Sequence, residues 1–271
     1  MTTSSTCLVA LLGHPVAHSV SPQIHSAAFS ATGTDAVYLA FDVLHEELEQ
    51  TLAGLWALHA VGANVTVPHK RAVMGLVDAV TDEARLVGAA NTLLREGDLL
   101  VADNTDAPAL TEVFGALGVG SGDTVLLLGA GGAARAAAVA LGRRGAVVEV
   151  SARRPAAAAD LAVVLSAAGG QSADDVDRPK AVVNATPLGM HGEPLPERWM
   201  ALGPGQVALD MVYGPEPTPF MRAAGAAGIP AQDGLGMLVA QAALSFERWT
   251  GLPAPRAAMA KAAARAVGRT A

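Results

Sequence analysis

Thr124-Val125-Leu126-Leu127-Leu128-Gly129-Ala130-Gly131-Gly132-Ala133-Ala134 joins a short β-prone run to a glycine-rich turn, and an alanine-rich run comes after it. The turn matches G-x-G-x-x-A. Gly129 permits the tight bend, Gly131 lets backbone approach a pyrophosphate, and the small Ala134 lets a helix pack close to the strand. The first turn of that helix offers unpaired N–H groups and a partial positive charge to phosphates. A glycine triplet alone is compatible with an ordinary turn, but a strand before it and a helix after it favour a dinucleotide loop. The end of the next strand, expected over residues 147–150, selects the dinucleotide. An acidic side chain there binds a ribose 2′-hydroxyl and favours NAD, and Glu149 stands near that spacing. Val150 and Ser151 continue the strand past Glu149, so Glu149 is expected in mid-strand, facing solvent. Ala152-Arg153-Arg154-Pro155 comes next. Two guanidiniums, each a planar fork of donors that stays charged, suit a 2′-phosphate. NADP is the cofactor this pattern favours; the alternative is a solvated basic turn.

The same alternation of β-rich and Ala/Leu-rich runs extends through the chain. On the N-terminal side strands are expected at 8–12, 36–42 and 62–65, with helices at 22–32, 45–59 and 70–78. The pattern restarts near residue 105 with a helix at 107–117. Beyond the glycine loop come helices at 133–143 and 156–168 and strands at 147–150, 181–184 and 206–210; the tail holds helices at 235–249 and 255–267. Strand followed by helix, repeated, predicts an α/β fold with mainly parallel sheets covered on both faces. The expectation is two α/β lobes. Residues 1–105 form a substrate-binding catalytic domain, 106–236 a Rossmann-type NADP-binding domain, and 237–271 C-terminal helices that return to the first lobe. A ligand cleft is expected between the lobes, with opening and closing about segments near Thr105 and Gly236.

Composition narrows the function classes. The chain has 271 residues, Lys+Arg 18 against Asp+Glu 25, a net charge of −7, and 51% hydrophobic residues. That charge argues against nucleic acid as a partner, because a hold on phosphate backbone needs clustered Lys and Arg. A single cysteine, Cys7, excludes an internal disulfide framework and fits a reducing compartment. The short apolar run at 8–12 reads as a first strand rather than a signal peptide, and no run has the length of a membrane helix. A soluble cytoplasmic protein, monomer or homodimer, with no membrane contact and no bound metal, is expected.

Polar residues cluster at expected strand exits in the first half. Ser19 and Ser21 are two apart ahead of a helix, with Pro22 next. Both hydroxyls can face one side of the loop, or Ser21 can merely cap the helix. Asn64 and Thr66 alternate along a strand end and so share a face, and Pro68, His69 and Lys70 come after them. Asn91-Thr92 and Asp103-Asn104-Thr105-Asp106 complete the set. His14, His18 and His25 resemble a metal cluster in their spacing, but their places in a loop and at a helix start favour structural hydrogen bonding.

With these residues in view the chain resembles the shikimate dehydrogenase family. The resemblance is carried by Gly13-x-Pro15-x-x-His18-Ser19-x-Ser21-Pro22, Asn64-Val65-Thr66-x-Pro68-x-Lys70, Ala90-Asn91-Thr92 and Asn104-Thr105-Asp106. It continues through Gly129-Ala130-Gly131-Gly132-Ala133, Asn184-Ala185-Thr186-Pro187, Asp210-Met211-Val212-Tyr213 and Gly234-Leu235-Gly236-Met237-Leu238-Val239-x-Gln241. The resemblance implies NADP-dependent, reversible reduction of 3-dehydroshikimate to shikimate in aromatic amino-acid biosynthesis. It implies that Ser19 and Ser21 bind the substrate carboxylate, and that Asn64, Thr66, Asn91, Asp106, Tyr213 and Gln241 contact ring hydroxyls or carboxylate. It puts Lys70 and Asp106 on the family's catalytic pair. Gly129, Ala130, Gly131, Gly132, Ala133, Arg153, Arg154, Thr186, Met211 and Gly234 fall on its cofactor side. Chemistry agrees: as hydride reaches a ketone carbon the oxygen gains a proton, so a positioned acid is needed. Burial lowers the pKa of a lysine in that role and a neighbouring carboxylate raises it.

Three positions depart from the family pattern: His69 where an aromatic residue often precedes the lysine, Ser26 where Asn is common, and Ala152-Arg153-Arg154 where Asn-Arg-Thr is common. His69 is expected to be a bystander. Losing the Asn side chain weakens an adenosine contact, while the second Arg strengthens the phosphate contact. Two other functions compete: a quinate/shikimate or aminoshikimate dehydrogenase using NAD, and a catalytically silent binding homologue. The second serine of the first motif and the lack of an acid in the cofactor loop resemble the shikimate-preferring form, and silent homologues usually lose the acid–base pair that is present here.

Overall fold

The structure is a computed structural model that describes residues 2–269, so residues 1, 270 and 271 of the expected first and last domains lie outside the described residues. The chain divides into two compact units. One holds the residues up to Thr105 together with those from Val239 onward, and the other runs from Asp106 to Leu238.

The first unit is built on β1 (Cys7–Gly13), α1 (Ser21–Thr32), β2 (Ala36–Asp42), α2 (Leu48–Ala57), β3 (Gly62–Val65), β4 (Ala79–Val80), α3 (Asp82–Val87), β5 (Thr92–Glu96) and β6 (Leu99–Asp103). Its sheet has the order β2-β1-β3-β5-β6-β4. β1 is apolar along its length because both faces are covered: Val9, Ala10, Leu11 and Leu12 are all buried. It runs parallel to β2 and β3. β5 runs antiparallel to β3 and β6, so the tight β5–β6 hairpin returns β6 to the direction of β3. The register Asn64↔Thr92↔Asp103 brings the end of β3, the start of β5 and the end of β6 to one edge.

Residues 70–78 do not form the expected helix. Only a single 3₁₀ turn, Ala72–Gly75, is present. Val73 and Gly75 are weak helix formers, and the sheet recruits the residues just beyond the turn: Asp78 N–H donates to Leu100 O at 2.9 Å, and Leu100 N–H donates to the Asp78 carboxylate at 2.8 Å. The expected helix at 45–59 likewise opens as a 3₁₀ turn, His45–Glu47, before α2.

The second unit comprises α4 (Asp106–Ala116), β7 (Thr124–Leu128), α5 (Gly132–Arg143), β8 (Val147–Ser151), α6 (Pro155–Ala167), β9 (Gln171–Ser172), β10 (Ala181–Asn184), α7 (Glu197–Met200), β11 (Val207–Asp210), α8 (Pro219–Ala226) and β12 (Ala231–Gln232). Its sheet has the order β12-β11-β10-β7-β8-β9, and every pairing is parallel. The chain steps outward from β7 on one side, then returns to build the other. This is the doubly wound dinucleotide-binding order, in which ligands lie beyond the carboxyl ends of the strands at the reversal, here between β7 and β10. Leu126, Trp199, Ala208 and Phe220 form part of its core.

Two helices end the chain, α9 (Gly234–Thr250) and α10 (Arg256–Ala266). From Val239 onward they belong to the first unit, where α10 packs on α1 and Phe246 meets Phe29 with ring centroids 5.8 Å apart. Burying a Phe of this kind contributes about 1.5–3 kcal/mol. Trp249 lies against β3 and donates its indole N–H to Leu93 O at 3.0 Å. Gly62 makes that approach possible, because a Cβ there would collide with the Trp249 ring and the Leu93 carbonyl.

Candidate active site

In the first unit, the exits of β1, β3 and β6 and the entry of β5 supply the polar edge. Asn91 and Thr92, expected at a strand exit, instead stand at an entry: Thr92 opens β5 and Asn91 precedes it. They reach the same edge because β5 runs the opposite way. Ser19, half-buried, accepts a hydrogen bond from Ser21 N–H at 3.3 Å. Ser21 does not cap α1, which has no side-chain cap. It is instead the first helical residue, and its buried side chain neighbours the Tyr38 phenol. Thr66 is half-buried just past β3, where its N–H donates to Leu12 O at 2.8 Å. Lys70 is also half-buried, and its carbonyl accepts from Ala90 N–H at 2.7 Å, which ties the lysine's backbone to the segment entering β5.

Behind that edge lies a buried polar network. Asn64 accepts from Tyr38 Oη at 2.8 Å and donates to Asn91 O at 3.1 Å and Ser245 Oγ at 3.0 Å. Asn91 accepts from Thr105 N–H at 2.7 Å and donates to Thr105 Oγ1 at 2.9 Å and Gln241 Oε1 at 3.1 Å. Ser245, fully buried on α9, lies 2.8 Å from Thr92 Oγ1 and 3.1 Å from Thr105 Oγ1. Buried polar groups left unpaired would each cost about 1–3 kcal/mol, so this mutual pairing fixes the edge in one geometry. Asp103 belongs to the support. Its carboxylate accepts from Thr81 Oγ1 at 2.7 Å and faces Arg248 at 3.0 Å.

The histidines are structural in different ways. His14 pairs with Asp42 at 2.7 Å, and His69 is buried with Nε2 at 2.7 Å from Val43 O. His25 stacks on Tyr38 at 4.4 Å and does so without the expected hydrogen bonding: neither ring nitrogen has a partner in good geometry. Burial drives its pKa down to about 3, only partly offset by the neighbouring Asn64 side chain. Among the described residues no group of His, Cys, Asp and Glu could hold a metal ion, and no helix is long and apolar enough to cross a membrane.

In the second unit the candidate cofactor residues stand at the carboxyl ends of its strands. Gly129 follows β7 with φ +120°, and a Cβ there would lie 2.7 Å from Ala185 O, so no side chain fits without displacing backbone. Gly131 caps α5 in an extended conformation, and Ala134 is fully buried against the sheet. Ala130, Gly131, Gly132 and Ala133 remain accessible, with the first amides of α5 directed away from the helix body. Arg153 and Arg154 follow β8 and are exposed. After β10, Thr186 donates its hydroxyl to Asn184 Oδ1 at 2.7 Å. After β11, Met211 N–H donates to Asn184 O at 2.9 Å and Gly234 N–H to Val212 O at 3.2 Å. A glycine cradle that excludes a Cβ, an open helix N-terminus and two exposed guanidiniums fit NADP. Asp106, buried, opens α4 immediately after Thr105. Tyr213, half-buried after β11, has its phenol pKa pushed up by burial.

Glu149 departs from expectation. It is buried rather than facing solvent. Arg198 grips its carboxylate at 2.5 and 2.7 Å, and Val176 N–H donates to it at 2.8 Å. These partners consume the carboxylate, so it serves as an internal clamp and is no ribose ligand. Sequence reading missed Tyr38 and Ser245, and it quoted Asp210 in a motif without a role; Asp210 is buried and accepts from Thr218 Oγ1 at 2.5 Å and Asn184 Nδ2 at 2.9 Å. Burial raises the Asp210 pKa. Ser245 had a signal: it is one turn from Gln241, on the same helix face.

The chain matches the family model for the shikimate dehydrogenase substrate binding domain over residues 11–93 and that for the shikimate 5′-dehydrogenase C-terminal domain over residues 234–264. A curated shikimate dehydrogenase (NADP+) from Anaeromyxobacter sp. (strain K) is 46% identical across 97% of this chain and 97% of its own length. A crystal structure of shikimate 5-dehydrogenase from Thermus thermophilus in complex with NADP(H) and shikimate superposes with TM-score 0.86 at 38% identity, covering 96% of this chain and 99% of that one. A shikimate dehydrogenase crystallised with NADP+ superposes with TM-score 0.91 at 32% identity over 99% and 98% of the two chains. Likeness on this scale extends from the serines after β1 to the helices that end the fold, and the chain belongs to the shikimate dehydrogenase family.

Proposed function

We propose that this protein is an NADP-dependent dehydrogenase that reversibly reduces 3-dehydroshikimate to shikimate in the cytoplasm, a step in aromatic amino-acid biosynthesis. One observation carries the reading: the register of β3, β5 and β6 brings Asn64, Thr92 and Asp103 to one edge of the first unit's sheet, where Asn64 bonds to Asn91 and Ser245 and Lys70 is tied by its carbonyl to the residue before Asn91. Ser19 and Ser21 hold the substrate carboxylate; Asn64, Thr66, Asn91, Tyr213 and Gln241 take up the remaining polar groups of the ring. Lys70 Nζ donates a proton to the ketone oxygen, and in the reverse direction its neutral form removes the proton from the hydroxyl. Asp106 orients the ammonium and that hydroxyl. NADPH, when bound, supplies the hydride, and the protein supplies placement. Gly129, Ala130, Gly131, Gly132 and Ala133 cradle the pyrophosphate, Arg153 and Arg154 take the 2′-phosphate, and Thr186, Met211 and Gly234 line the cofactor's path. Acid–base assistance contributes about 10²–10⁴-fold, and alignment of the reactants much of the rest.

Steady-state rates with shikimate and quinate, each with NADP and NAD, test this. Shikimate with NADP is expected to give the highest kcat/KM. A preference for quinate with NAD overturns the assignment in favour of the catabolic relative, and no turnover with any pair indicates a silent homologue.

A further inference from the structure

We infer that Tyr38 and Ser245 are positioning residues that together set the orientation of the Asn64 carboxamide; the inference rests on the reading of the substrate edge given above. Asn64 is buried and its two polar atoms are gripped from opposite sides. Tyr38 Oη, 2.8 Å from Oδ1, donates to it. Nδ2 faces the Asn91 carbonyl, which can only accept, at 3.1 Å, and the hydroxyl oxygens of Ser245 at 3.0 Å and Thr92 at 3.3 Å. Turning the amide over would set a carbonyl against the Asn91 carbonyl and take the acceptor away from the phenol hydrogen, so the observed orientation is the one that satisfies the backbone. Tyr38 is a dependable donor, because burial pushes its pKa up and keeps the phenol protonated. Its ring is held in place by the stack on His25, and the Ser21 side chain neighbours the same phenol. Tyr38 therefore stands between a serine read as a carboxylate ligand and an asparagine read as a ring ligand.

Ser245 acts from the other side. Its hydroxyl is fully buried and meets Thr92 Oγ1 at 2.8 Å, Thr105 Oγ1 at 3.1 Å and Gln241 O at 3.1 Å. Through Thr105, which holds the Asn91 carboxamide, the same hydroxyl links the two asparagines. Neither Tyr38 nor Ser245 needs to touch substrate for this effect; Tyr38 acts through Asn64, and Ser245 through Asn64 and, by way of Thr105, Asn91.

Tyr38→Phe and Ser245→Ala, made in the full chain, test the inference by shikimate affinity in titration calorimetry, by KM for shikimate and by KM for NADP. Each is expected to weaken shikimate about tenfold, the effect of one misdirected hydrogen bond, and to change the NADP value by less than about twofold. In an Asn64→Ala background Tyr38→Phe is expected to add less than about twofold, because it acts through that one group. Unchanged shikimate affinity in Tyr38→Phe, full additivity with Asn64→Ala, or equal damage to both ligands overturns the inference. If Ser245→Ala does not fold, Tyr38→Phe, which removes one oxygen atom, decides alone. An unsubstituted enzyme that neither binds nor oxidises shikimate overturns the underlying reading instead, and this inference with it.

Discussion

The turn after β7 in the second unit presents mostly backbone, whereas the polar edge of the first unit presents mostly side chains. Beyond β7 the features that matter are the absence of a Cβ at Gly129, the amides opening α5 and a small residue at Ala134. Beyond β1, β3 and β6 they are hydroxyls and carboxamides that hold one another through Asn64, Asn91 and Ser245. A backbone cradle tolerates variation in everything but its small residues. A network of buried side chains fails when one member is lost, since its partners are then left unpaired. The two sites should accordingly respond to substitution in separable ways.

The largest separation is expected from Lys70→Ala: shikimate turnover should fall about 10²–10⁴-fold, with NADP affinity in a fluorescence titration changed by less than about twofold. Equal losses of both would break the contrast. Gly62→Ala comes next. It forces the Trp249 ring off β3 and removes its bond to Leu93, so urea denaturation should show a loss of about 3 kcal/mol.

His25 supplies a pH test of the first unit. Its pKa is about 3 when folded against an ordinary value of 6.5, so the unfolded chain binds a proton that the folded chain refuses. Its contribution is therefore fully present above pH 6.5 and is lost as pH falls below that value, by about 2 kcal/mol between pH 7 and pH 5. His25→Phe should flatten that decline in urea midpoints, and an unchanged decline would remove His25 as its source. The smallest effect belongs to the second unit: with Arg153 and Arg154 both replaced by Ala, NADP should bind about tenfold more weakly and NAD unchanged. Parallel loss of both cofactors would show that the guanidiniums do not read a 2′-phosphate.

The same contrast accounts for what was legible in the sequence. β7, β10 and β11 are buried along nearly their whole length, so they stand out as apolar runs followed by Gly129, Thr186 and Tyr213, whereas β8 is read from its valines on either side of Glu149, ahead of Arg153. The two-residue strands β9 and β12 are too short to carry a period. In the first unit, the chemistry of Ser19, Ser21, Asn64 and Lys70 was legible as motif, but the β5–β6 hairpin was not, because its interior is shared between sheet partners distant in sequence. Glu149 shows the limit: strand position suggested solvent, and only the fold brings Arg198, 49 residues away, onto it. Tyr38 and Ser245 were hidden for the same reason, each meeting Asn64 across 26 and 181 residues respectively.

The central expectation is that Lys70 and Asp106 act on one substrate hydroxyl. A crystal structure of the enzyme with shikimate and NADP+ bound tests this directly. The expected result places Lys70 Nζ and an Asp106 carboxylate oxygen both within hydrogen-bonding distance, about 2.6–3.2 Å, of the ring hydroxyl that faces the nicotinamide. Either group directed away from that hydroxyl, with the other ligands in place, would contradict it.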